Sequence, residues 1–207
     1  MGGIALARMN FEQETEMERL LINQLTTGNS ASGYAQWEYR KDLNSENKLW
    51  NNFREILTNK NLSVLDGNPI TDQEFEQIKN SISGFNTPYD AGKWLAGENG
   101  IYKIILTRED ASLGRIPLIL GRRDAVAGGD TVYQVVHQVK RDKAIFEDQD
   151  RRFDVTLLIN GLPMIQIELK SRRHGYMEAF YQIDKYMREG KYRGIFSTLQ
   201  MFVISNG

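Results

Sequence analysis

The chain contains no cysteine and only two histidines, His137 and His174. Disulfides and thiolate metal sites are therefore excluded, and an imidazole-built zinc centre has too few ligands. Any metal must be held mainly by oxygen. No stretch approaches the roughly 20 consecutive apolar residues that cross a bilayer, and the first residues lack the basic-then-apolar order of a secretory leader. A soluble, cytoplasmic protein is expected. Net charge is nearly absent as well: 26 Lys and Arg against 27 Asp and Glu leave −1. That balance argues against coating nucleic acid by bulk positive charge, yet leaves room for a short basic track, so the placement of Arg and Lys matters more than their sum. Internal repeats and low-complexity tracts are missing too. So is the Gly-x-x-x-x-Gly-Lys-[Ser/Thr] phosphate loop, and ATP hydrolysis by this chain is not expected.

What is present suits one globular domain: 207 residues, 41% of them hydrophobic, enough to bury a substantial core. Residues 1–8 precede a second methionine and are set aside as a cloning remnant. From Phe11 to Leu25 the apolar residues Met17, Leu20, Leu21 and Leu25 recur at helical spacing, which predicts an amphipathic helix ending before Gly28. Glu14 and Glu18 flank that stripe and read as surface carboxylates. The segment 29–130 reads as an insertion of smaller elements. It holds a helix over 47–58, one opened by the capping-box pattern Thr71-Asp72-Gln73-Glu74, a short one over 89–95, and a strand over 101–107. After Gly128-Gly129-Asp130 the pattern becomes strand, strand, strand, helix, strand, over 132–139, 154–159, 164–170, 176–187 and 201–204. The expected class is α/β, a mixed central sheet flanked by helices, its core drawn from 11–27 and 131–206. An apolar strand immediately before Ser205-Asn206-Gly207 suggests a piece of a longer chain.

Two neighbouring strands carry the chemistry. Glu168 and Lys170 are two residues apart on a strand and so share a face, while Ile167 and Leu169 point into the core. Whether Asp154 joins that face depends on the intervening turn. A plain two-residue loop at Asn160-Gly161 would set Asp154 opposite Ile167, and the acids would face apart. A three-residue loop Asn160-Gly161-Leu162, or an equivalent bulge, sets Asp154 opposite Glu168, and this is the arrangement expected. Two carboxylates with a lysine suit phosphodiester cleavage by a hard cation that keeps positions open for water and phosphate. In that reading Asp154 and Glu168 hold Mg²⁺ with the Leu169 carbonyl, and Lys170 orients or helps deprotonate the attacking water. Arg172 and Arg173 grip the DNA backbone. His174 needs no chemical role. Gln182 and Tyr186, four apart on one helical face, touch the substrate strand or the carboxylate shell. Each feature alone has an ordinary explanation: a cross-strand ion pair, a polar helix face, solvated charge at a strand end. His137 reads as a core or edge histidine. Their order within residues 154–186 carries the inference.

The stretch Phe153-Asp154-Val155-Thr156-Leu157-Leu158-Ile159-Asn160-Gly161-Leu162-Pro163-Met164-Ile165-Gln166-Ile167-Glu168-Leu169-Lys170 closely resembles the nuclease signature of the R (restriction) subunit of type I restriction-modification enzymes. Phe153 stands where that family usually has proline. Gln182 and Tyr186 fall on the family's Gln-x-x-x-Tyr helix motif, and weaker similarity upstream extends the resemblance over most of the chain. It implies the restriction-endonuclease-like PD-(D/E)XK fold, with Mg²⁺ on Asp154 and Glu168 (Mn²⁺ substituting) and Lys170 at the water. It also implies a longer subunit with an ATP-driven translocase, double-stranded DNA as substrate, and methylation and specificity subunits as partners. A helix glutamate assists the metal in some relatives, and Glu14 is the candidate. Two alternatives stay open: a non-catalytic DNA-holding or docking module, and a stand-alone repair or recombination nuclease. Intact Asp154, Glu168 and Lys170 favour cleavage over the first. The DNA target, oligomeric state and number of metal ions are not legible.

Overall fold

The chain opens with a long helix, α1 (Gly2–Thr27), a two-residue strand β1 (Glu38–Tyr39), and helices α2 (Glu46–Lys60), α3 (Leu62–Leu65), α4 (Asp72–Ser83) and α5 (Pro88–Ala96). A hairpin β2 (Ile101–Thr107) and β3 (Arg115–Arg122) follows, then strands β4 (Tyr133–Arg141), β5 (Arg151–Ile159) and β6 (Leu162–Leu169), helix α6 (Tyr176–Arg188) and strand β7 (Met201–Ser205). This architecture comes from a computed structural model that describes residues 2–27, 37–125, 129–141, 151–170, 176–188 and 192–205. Among them no helix is long and apolar enough to cross a membrane.

The main sheet has five strands in the order β1-β4-β5-β6-β7. Its centre, β4-β5-β6, is an antiparallel meander, and the outer strands β1 and β7 run parallel to their neighbours. Each face is covered separately. Val135, Val155, Leu157, Ile167 and Leu169 pack beneath α1, which contributes Ile22 with Met17, Leu21 and Leu25 partly buried around it. The larger cluster on the other side joins Val136, Val139, Phe153, Leu158 and Leu162 to Trp50, Phe53 and Leu57 of α2 and to Phe75, Ile78 and Ile82 of α4. Burying each such large side chain is worth about 1.5–3 kcal/mol. The β2-β3 hairpin extends this cluster through Ile104, Leu106, Leu118 and Leu120.

Buried amides tie these layers together, because a buried polar group without a partner is costly. Asn52 of α2 and Gln134 of β4 exchange two hydrogen bonds, at 2.9 and 3.2 Å. Asn61, between α2 and α3, acts as a strand partner to β3: it accepts from the Ile119 N–H at 2.8 Å and donates to the Ile119 carbonyl at 2.9 Å. At α4 the expected capping box is formed in both directions between Thr71 and Glu74.

The structure departs from the sequence reading at β3 and at the start of α1. Strand β3 lies in a segment to which no element was assigned, and it contains Pro117 and Gly121. A two-stranded sheet has only edges, where proline is tolerated, and Gly121 leaves room for the Tyr102 ring, whose hydroxyl would lie 2.2 Å from any Cβ there. In addition, α1 runs back to Gly2, so residues 2–8 extend the helix.

Candidate active site

The hairpin β5-β6 carries the paired acids, and its turn sets their register. Asn160 and Gly161 both have left-handed backbone, with φ of 51° and 80°, the two-residue type I′ turn that Asn-Gly favours. Asn160 is also held by its surroundings: its side-chain oxygen accepts from the Val132 N–H at 3.0 Å and its Nδ2 donates to the Tyr102 hydroxyl at 2.8 Å. The turn pairs Ile159 with Leu162 and Leu158 with Pro163. Continued unchanged, that register would turn the acids apart. Instead a bulge between Leu157 and Leu158 leaves Met164 as the extra residue, and the strands resume with Leu157 opposite Ile165 and Val155 opposite Ile167. One further step sets Asp154 opposite Glu168. Of the two expected devices the turn is the short one, and the bulge supplies the shift.

Glu168 is fully buried. Burial, and then the charge of Asp154, push its carboxyl well above the usual carboxylate range, while Lys170 and the Gln166 and Gln182 amides act the other way. Gln182 Nε2 donates to Glu168 Oε1 and, at 3.0 Å, to the Tyr186 hydroxyl. The helix pair therefore stands behind the carboxylate, with Tyr186 itself buried. Glu168 Oε2 is buried with no hydrogen-bond partner among the described residues. Asp154 is also raised by burial and by the Glu14 charge, against the Leu169 N–H, Lys170 and Gln138. The Leu169 N–H donates to Asp154 Oδ2 at 2.8 Å. In an extended strand the N–H and C=O of one residue lie on the same edge, so the Leu169 carbonyl is turned toward the same gap.

Among the described residues no three His, Cys, Asp or Glu side chains come close enough to hold an ion by themselves. Glu14, the expected assisting residue, does not join Asp154 and Glu168 in a three-carboxylate cage. Glu18 is not a surface residue either: it is only 7% exposed, and burial followed by the Asp154 charge pushes its carboxyl up to about 7. It lies four residues before Ile22 on the buried stripe, and that spacing was the available signal. Its partner is Gln138 of β4, whose Nε2 donates to Glu18 Oε1 at 2.6 Å. Gln138 has left-handed backbone, φ 52°, a conformation that costs an L-residue roughly 1–2 kcal/mol. Nothing in the sequence distinguishes this glutamine.

Phe153 is fully buried and forms the apolar wall of the site, its ring 4.8 Å from Phe196, 5.3 Å from Tyr192 and 5.8 Å from Tyr186. Tyr192, which sequence reasoning missed, buries a hydroxyl without a hydrogen-bond partner among the described residues. Burial, then the charge of Glu168, raise that phenol. His137 is half-buried, its Nδ1 3.1 Å from the Tyr39 hydroxyl. Arg172, Arg173 and His174 lie outside the described residues.

A five-stranded mixed sheet flanked by helices, with two neighbouring acids on its central hairpin, one of them under-satisfied, places the protein among α/β domains compatible with a nuclease fold. Comparison with known proteins is more specific. Residues 11–207 match the family described as the type I restriction enzyme R protein N terminus, and the chain belongs to that family. It is 34% identical over 199 residues to the type I restriction enzyme SauCOLORF180P endonuclease subunit of Staphylococcus aureus (strain COL), which covers 96% of this chain and 19% of that subunit. The SsaAORF53P endonuclease subunit of Staphylococcus saprophyticus shows the same identity and coverage. The EcoprrI endonuclease subunit of Escherichia coli is 32% identical over 202 residues, 96% of this chain and 57% of that protein. The chain thus spans 19% of the length of the staphylococcal relatives.

Proposed function

We propose that this chain is the DNA-cleaving portion of a type I restriction enzyme, a Mg²⁺-dependent endonuclease acting on phosphodiester bonds of double-stranded DNA. The observation that carries this reading is Glu168 Oε2, a buried carboxylate oxygen with no hydrogen-bond partner among the described residues, on an acid further raised by the charge of Asp154. A hard divalent cation with oxygen ligands relieves both. Asp154 and Glu168 would hold it with the Leu169 carbonyl, and Mn²⁺ shares the same ligand preference. When bound, Mg²⁺ supplies Lewis-acid stabilisation of phosphate charge and activation of water.

The protein's own residues position the reaction. The Leu169 N–H holds Asp154, and Gln182 holds Glu168 while Tyr186 braces the amide. Lys170 orients the attacking water and offsets the charge that develops on the phosphate. Arg172 and Arg173 follow in sequence and serve the DNA backbone. The relatives named above are endonuclease subunits of type I restriction enzymes. By that likeness, ATP is used in a translocase part of a longer subunit, and methylation and specificity subunits choose the DNA.

The test is metal-dependent DNA cleavage by wild type and Asp154→Ala in the longer subunit with its partner subunits and ATP. Loss of several kcal/mol of metal-assisted stabilisation predicts a fall of about 1,000-fold or more in the cleavage rate, with ATP hydrolysis preserved. Unchanged cleavage would mean that the acids at 154 and 168 are not the cleavage centre.

A further inference from the structure

Among the described residues, four other than glycine have left-handed backbone: Asp66, Asn99, Gln138 and Asn160. Three are Asp or Asn, the types that tolerate this conformation, and they stand in turns or at a helix end. Gln138 alone is a glutamine in the middle of a strand. Its neighbours keep their partners, His137 opposite Val155 and Val139 opposite Phe153, so Gln138 stands level with Asp154.

The left-handed residue breaks the inside-outside alternation of both strands at the same level. In β4, Val136 and Val139 pack in one cluster although they are three apart, an odd spacing that a regular strand sends to opposite faces. In β5, Phe153 and Val155 are two apart, yet Phe153 belongs to the larger cluster and Val155 to the one beneath α1. Gln138 and Asp154 occupy the level at which the two strands change face. There the Gln138 amide reaches α1, donating to Glu18 Oε1 at 2.6 Å. Gln138 also lies directly across from Asp154, between the pairs His137–Val155 and Val139–Phe153, and its side chain favours the ionised form of that acid.

Backbone strain that persists in a folded chain is a sign of a job done by the strained residue. We propose that Gln138 is a positioning residue of the cleavage site: its left-handed backbone aims one amide group at both Glu18 and Asp154, holding the Asp154 carboxylate ready for a divalent cation. An amide nitrogen has two N–H groups, so one side chain can serve two carboxylates. Glutamine adds no charge of its own between them. This rests on the reading that Asp154 and Glu168 bind a divalent cation.

The distinguishing substitution is Gln138→Gly in the 207-residue chain. Glycine adopts the left-handed backbone freely, so the substitution keeps the fold and removes the side chain that carries the amide. Mn²⁺ affinity, from a titration followed by electron paramagnetic resonance of the free ion, is expected to fall about tenfold or more, the range found when a group that orients a metal ligand is removed. The melting temperature in metal-free buffer is expected to stay level or rise. A purely structural glutamine gives the opposite result, a lowered melting temperature with Mn²⁺ affinity within twofold of wild type, and that outcome overturns the proposal. Gln138→Asn provides a second variant, since asparagine tolerates the same backbone but its amide falls one methylene short. It too should fold and lose affinity, and unchanged affinity there overturns the proposal even where the glycine variant fails to fold. Wild-type chain that binds no Mn²⁺ overturns both this inference and the metal-dependent reading beneath it. Binding by wild type that Gln138→Gly leaves intact overturns this inference alone.

Discussion

Glu74 and Glu168 are the same residue type at nearly the same depth, 1% and 0% exposed, and their surroundings are opposite. Glu74 accepts from Arg108 Nε at 2.8 Å, from the Glu109 N–H at 2.9 Å and from the Thr71 N–H at 3.0 Å. Burial alone would raise its carboxyl, but the Thr71 and Glu109 N–H groups and the Arg108 guanidinium outweigh that and hold it below the usual range. Glu168 has the Gln182 amide on Oε1, a second acid whose charge outweighs that of Lys170, and an Oε2 with no partner among the described residues. A buried acid that secures a corner of the fold is saturated with donors. Glu168 is left short of them, a shortage that the proposed divalent cation would relieve and whose cost is offset elsewhere in the core.

The comparison can be broken from either side. The largest effect on stability is expected at Glu74: Glu74→Ala leaves Arg108 buried without its anion and removes the capping partner, for a loss of about 3–5 kcal/mol in chemical denaturation. A loss below about 1 kcal/mol would show that Arg108 finds water or another acceptor, and that the saturated corner is not what holds β2 to α4.

Glu168 should behave in the reverse sense. Its folded-state carboxyl is raised above the ordinary 4.5, so the folded chain keeps a proton that the unfolded chain has already released. Metal-free stability therefore falls as pH rises from the ordinary glutamate range through neutrality. Glu168→Gln retains an acceptor for Gln182 and removes the titration, so thermal melts in chelator should show a flatter pH dependence and a higher midpoint than wild type at about pH 8. An identical slope in both proteins would place the strained carboxyl elsewhere. The smallest change separates the cap from the ion pair: Thr71→Ala removes one arm of the capping box and should lower stability by about 1 kcal/mol. A loss as large as that of Glu74→Ala would mean that the cap and the buried pair act as one unit.

Much of this was legible in the chain. The stripe Met17, Leu21 and Leu25 announced α1, although Leu20, read as part of it, is exposed, and Thr71 with Glu74 announced α4, because both rest on contacts within one or two helical turns. Asp154, Glu168 and Lys170 were legible as a set because strand periodicity and the Asn-Gly turn leave few ways to bring two acids to one face. The form of the register shift was less so. A short turn with Met164 bulged and a longer loop give the same pairing, and only the packing of Gly161 against α2 distinguishes them: a β-carbon there would lie 3.0 Å from Phe53 Cα. Gln182 and Tyr186 were found by spacing, but their place behind Glu168 needed α6 to pack against β6.

Sequence alone determined the local elements, the absence of thiolate ligands that follows from zero cysteines, and the pairing of acid with acid across one hairpin. Tertiary structure decided which acids are buried. Glu18 and Glu74 both sit in polar-looking helices, yet one meets Gln138 across 120 positions and the other Arg108 across 34. Burial and charge coupling act through space, and no local pattern encodes the distance between segments so far apart in the chain.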